Sequence, residues 1–82
     1  MKNNYIDNIG IIKKGSLHMN KVDFDVSEWR LKIYFNQYKE VIILLEELKD
    51  GKFEYWYDFM VLEESDIPKF FSETDWEIDW EK

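Results

Sequence analysis

From Asp75 to Glu81 every second residue is an acid: Asp-Trp-Glu-Ile-Asp-Trp-Glu. Period two belongs to a strand, because extended backbone sends successive side chains to opposite faces. The carboxylates of Asp75, Glu77, Asp79 and Glu81 then line one side, and Trp76, Ile78 and Trp80 line the other. The segment predicts a ribbon with one apolar and one strongly negative face.

The same period recurs upstream. Val22, Phe24 and Val26 alternate with Asp23 and Asp25, which predicts a half-buried strand. Trp29, Leu31, Ile33 and Phe35 alternate with Arg30, Lys32 and Tyr34 and predict a second. Residues 36–39 read as a short turn. Residues 40–48 fit two templates: Val41-Ile42-Ile43-Leu44-Leu45 suits a buried central strand, while Val41, Leu44, Leu45 and Leu48 also fall at helical spacing. The strand is preferred, because it closes a meander with the aromatic segment that follows. A two-residue turn at Asp50-Gly51 then pairs Leu48 with Phe53, Leu44 with Tyr57 and Ile42 with Phe59 on one face. Leu45 with Trp56 and Val41 with Met60 share the other. Both faces carry large apolar groups, so one packs on a helix and the other awaits further cover or a partner.

The helix is expected over residues 66–73. Ser65 or Asp66 caps it, Pro68 is tolerated in its first turn, and Ile67, Phe70 and Phe71 form its apolar stripe. Gly10 and Lys13-Lys14-Gly15-Ser16 read as loop or turn. The expected fold class is α+β: an antiparallel meander of four or five strands, one short helix and a C-terminal extended segment. All 82 residues are expected in one small domain. Residues 1–18 are read either as a loosely packed N-terminal arm or as an extension upstream of a second start at Met19.

A chain this short needs an efficient core, and its 15 aromatic residues supply much of one at roughly 150–250 Å² each. With no cysteine, neither disulfides nor thiolate zinc supports the fold. A cytoplasmic home is expected, with no membrane contact: no apolar run approaches the ~20 residues of a bilayer span, and no targeting segment is visible. The net charge of −7 is uneven. Residues 1–41 hold seven bases and five acids; residues 42–82 hold four bases and thirteen acids. So acidic a half is repelled by phosphate backbones and anionic lipid, which argues against direct nucleic-acid binding, and it attracts a basic protein surface.

No catalytic motif is present. His18 is the one histidine, with Ser16 two residues away but no surrounding signature. Asp23 and Asp25 share a strand face at about 6–7 Å, a spacing that suits a divalent cation or an acid–base pair, or simply a solvated face. Arg30 and Lys32 are expected to pair with acids on neighbouring strands. The expected function is that of a small acidic, non-enzymatic binding protein without cofactor or metal, which inhibits or occupies a larger protein with a basic surface. Its candidate contact residues are Asp75, Trp76, Glu77, Asp79, Trp80 and Glu81, with Glu63, Glu64 and Trp56. Acids repeating along a strand imitate a phosphate track, so the sharp form is a nucleic-acid mimic aimed at a host nuclease or defence complex. The alternatives are an immunity or antitoxin protein against a basic toxin, and a small ligand- or metal-binding domain at Asp23 and Asp25. A homodimer is the remaining partner expectation.

Overall fold

A computed structural model describes residues 5–81 of the chain. Its strands are β1 (Asn8–Lys14), β2 (Ser16–Met19), β3 (Val22–Asp25), β4 (Arg30–Phe35), β5 (Val41–Lys49), β6 (Lys52–Val61) and β7 (Glu77–Trp80). One short helix, α1 (Ile67–Ser72), follows a 3₁₀ turn at Glu64–Asp66. Five strands form an antiparallel sheet in the order β6-β5-β4-β1-β7, while β2 and β3 make a separate hairpin. The fold is therefore sheet-dominated, and with a single six-residue α-helix among the described residues the label α+β describes it only loosely. No helix among the described residues is long and apolar enough to cross a membrane.

The turns follow from local chemistry. Asn20-Lys21 and Asp50-Gly51 each connect two strands with both residues at positive φ, the type I′ geometry whose twist matches that of a hairpin. Between β4 and β5 the side-chain carbonyl of Asn36 accepts from the backbone N–H of Tyr38 at 2.9 Å and of Glu40 at 3.0 Å. This holds the turn that lets Lys39 adopt φ 63°. In the 40–48 segment the strand wins over the helix. Val41, Ile43 and Leu45 are fully buried on one face, while Ile42 and Leu44 are half-buried on the other.

Two expectations are corrected. Residues 8–14 and 16–19, read as arm and loop, are strands, and β1 lies between β4 and β7. Gly10 is not a turn residue but a strand residue over which β7 packs: an added Cβ would stand 2.6 Å from Ile78 Cγ2 and 2.9 Å from Trp80 Cε3. Gly15, between β1 and β2, does the same for Trp76, whose Cδ1 would be 2.5 Å from a Cβ. The second correction is register. Leu48 does pair with Phe53, but a bulge at Trp56 shifts everything beyond it by one residue. Leu45 then faces Tyr57, Ile43 faces Phe59, Leu44 faces Asp58 and Ile42 faces Met60. Tyr57 and Phe59 are thereby turned to the covered face.

That face holds the core. Ile12, Leu31, Ile33, Val41, Ile43 and Leu45 come from the sheet, Val26 from the segment after β3 and Ile67 from α1. Aromatic contacts run across it from one edge to the other. Trp29 and Phe24 meet Trp56; Tyr57, Phe59, Phe70 and Phe71 continue the line; Trp80 and Tyr5 close it. A helix of six residues is far below the ~12–15 that stand alone in water, so this packing is what keeps α1 folded. The opposite face of the sheet is open: Tyr34, Leu48, Tyr55 and Met60 on it are exposed.

Candidate functional site

The C-terminal strand begins at Glu77 rather than Asp75, and it pairs with β1. Within it the predicted division holds: Trp76, Ile78 and Trp80 pack on the core, while Glu77, Asp79 and Glu81 are exposed. Asp79 lies opposite Ile11, which places these acids on the open face. The backbone N–H of Glu81 donates to the carbonyl of Ile9 at 2.8 Å and carries the pairing one residue further. None of the three carboxylates holds an ion pair among the described residues.

Asp75 has a different task. Its carboxylate accepts from the backbone N–H of Ser16 at 2.9 Å and from the Ser16 hydroxyl at 2.8 Å. The Trp76 indole N–H donates to the Ser16 carbonyl at 2.8 Å. Together these bonds lock the residues before β7 onto the start of β2. The backbone bond first and the hydroxyl second hold the Asp75 carboxyl below its ordinary value of 3.8. A depressed pKa means a stabilising contribution that is present above the unfolded value and is lost as pH falls through the folded one. Thermal melts of the native chain and of Asp75→Ala should therefore differ by a constant interval at neutral pH. That interval should close below about pH 4. An interval independent of pH would show that the clasp does not depend on the carboxylate.

The other candidate residues lie elsewhere. Glu63 and Glu64 lead into α1 from the end of β6, where the Glu63 backbone N–H donates to Asp66 Oδ2 at 3.3 Å. Strands β6 and β7 are the two edges of the sheet, roughly 19 Å apart at ~4.8 Å per strand spacing. The two acidic groups thus flank the basic-half strands β1 and β4 and do not merge. Trp56 is half-buried, edge-on to Phe24 and Trp29 at ring distances of 5.0 and 5.2 Å. Arg30 and Lys32 both reach Glu46 on β5, at 2.8 and 3.8 Å.

Asp23 and Asp25 are exposed on β3. Asp23 Oδ1 is 2.7 Å from His18 Nδ1 across the hairpin. Asp25 accepts from the Ser27 backbone N–H at 2.9 Å, a bond that lowers its pKa. The Ser16 hydroxyl donates to Asp75, so Ser16, His18 and Asp23 do not form a relay. No three metal-ligating side chains converge among the described residues.

A groove that the sequence did not suggest lies beside β7 on the open face. Ile9 and Ile11 of β1 lie between Arg30 and Phe53 on one side and Asp79, Trp80 and Glu81 on the other, and together they line an open volume of about 310 Å³. The Arg30 guanidinium lies 4.3 Å over the Phe53 ring. The only signal was the alternation of Ile9 and Ile11 with Gly10, hidden because Ile12 is apolar as well. No protein-family model, curated protein or solved structure matches the chain.

Proposed function

We propose that this protein is a small, non-enzymatic binding protein that occupies a basic surface of a larger protein partner. The observation that carries the reading is the row of carboxylates at Glu77, Asp79 and Glu81, without an ion pair among the described residues and held in one line on an edge strand by the rings beneath it. Side chains at i and i+2 of a strand repeat at about 6.6–6.8 Å, so the row meets cations at fixed intervals. A mobile acidic tail would have to be ordered first.

Two forms of the reading differ in what the row imitates. A nucleic-acid mimic needs a phosphate-like track, whereas an immunity or antitoxin protein needs only complementarity to one basic toxin. The engagement of Asp75 with Ser16 shortens the free row from four acids to three, which favours the second form.

The test is capture from the source cell with the native chain and with the triple variant Glu77→Gln, Asp79→Asn, Glu81→Gln. The native chain should retain a basic protein at about 0.1 M salt and release it near 1 M, where the screening length falls from ~10 Å to ~3 Å. The triple variant should retain none. Displacement by DNA or RNA oligonucleotides would select mimicry. Equal capture by the triple variant would remove the acidic row from the interaction.

A further inference from the structure

The open face has an excess of apolar area and a local excess of negative charge in one place. The cations beside the groove are already engaged: Arg30 Nε is 2.8 Å from Glu46 Oε1 and its guanidinium is stacked on Phe53, and Lys32 reaches the same carboxylate, while Lys14 lies further along β1, opposite Glu77. Asp79 and Glu81, on the other wall of the groove, have no such counterpart among the described residues. Between the walls the floor is aliphatic, Ile9 and Ile11, both half-buried. Such a slot, apolar below and negative at one side, complements a side chain with an aliphatic stem and a cationic head.

We propose that the groove receives a lysine or arginine side chain of a protein partner, its stem along Ile9 and Ile11 and its head against Asp79 and Glu81. This rests on the basic-partner reading and says where on the molecule the partner is gripped. A second copy of the chain is the poorer occupant. Two copies each carrying −7 repel. A basic partner avoids that objection.

The stem and the head can be tested separately. The full chain, labelled for NMR, is titrated with blocked peptides in which leucine alternates with one of three residues: lysine, the short-stemmed cation diaminopropionate, or glutamate. The lysine peptide should move the signals of Ile9, Ile11, Arg30, Asp79 and Glu81, and the glutamate peptide should move none. Diaminopropionate, with equal charge but no stem, should bind more weakly. Asp79→Asn with Glu81→Gln, both exposed positions, should weaken the lysine peptide about threefold to tenfold. Shifts spread over every acidic residue, or equal affinity for the long and short cations, would overturn the groove. Concentration-dependent shifts of the same residues without peptide would overturn it in favour of a second copy. Cellular capture that depends on the acidic row, together with peptide shifts that miss the groove, would sink this inference alone and leave the basic-partner reading standing.

Discussion

Trp56→Ala is expected to lower stability by about 2–4 kcal/mol. That is a large part of the ~4–12 kcal/mol available to a domain of this size, and it corresponds to a fall in melting temperature of ~4–8 °C per kcal/mol. The indole is only half-buried, which keeps the figure below that for a fully enclosed tryptophan, but it sits at a junction. It touches Phe24 of the hairpin and Trp29 of the following segment, so its removal opens a gap between the β2–β3 hairpin and the main sheet. The bulge supplies a sharper companion test. An unbulged register places Phe59 on the open face and Met60 on the covered one. The observed register does the reverse, with Phe59 opposite Ile43 and 5.2 Å from Phe70. Phe59→Ala should therefore cost several-fold more than Met60→Ser in urea titrations. The opposite order would show that β6 pairs without the bulge.

The bulge is also where sequence reasoning stopped being sufficient. Period-two alternation located β3, β4 and the C-terminal ribbon, because in each the polar and apolar residues change places at every step. It placed the Asp50-Gly51 turn and hence the pairing of Leu48 with Phe53, since turn chemistry sets register near a hairpin end. Tyr55-Trp56-Tyr57 carries no alternation, so nothing in the chain marked the extra residue. Beyond it the faces of β6 invert. The first strand was missed for a related reason. In Asn8-Ile9-Gly10-Ile11-Ile12 the covered positions are a polar residue, a glycine and an isoleucine, a pattern that resembles a broken loop. What makes them a strand is pairing with β4 on one side and with β7, almost seventy residues away, on the other, and local propensity encodes neither partner. The same distance effect governs the charges. The acids of the second half are close in sequence, yet the order β6-β5-β4-β1-β7 spreads them: Glu46 and Glu47 lie on the interior strand β5, Glu54 and Asp58 on the edge strand β6, and Glu77 and Asp79 on the other edge. Only the short row on β7 remains as a single negative line, and Asp75, at its head, is spent on Ser16.

Gly10→Val is expected to cost about 2–3 kcal/mol, although local preference points the other way. Valine is among the best strand formers and glycine among the poorest, so propensity alone predicts a gain of up to about 1 kcal/mol. Packing reverses the sign. A Cβ at position 10 would stand 2.6 Å from Ile78 Cγ2 and within 3.1 Å of two atoms of the Trp80 ring. The methyls of valine would extend the clash. The isoleucine methyl can rotate away; the ring is held between Tyr5 and Phe71, at 5.6 and 5.5 Å. Relief therefore requires β7 to lift off β1, and forcing groups into a packed site of this kind typically costs about 1–3 kcal/mol. Gly10→Ala should fall between the native chain and the valine variant. Because β7 carries Glu77, Asp79 and Glu81, lifting it also breaks the acidic row and the wall of the groove. The measurement is thus double: equilibrium unfolding for stability, and binding of the lysine peptide proposed for the groove at a temperature where the variant is still folded. Loss of both is the expected result. A stabilised valine variant would mean that β7 is not seated on Gly10, and the acidic row would then lose the support that holds it in line.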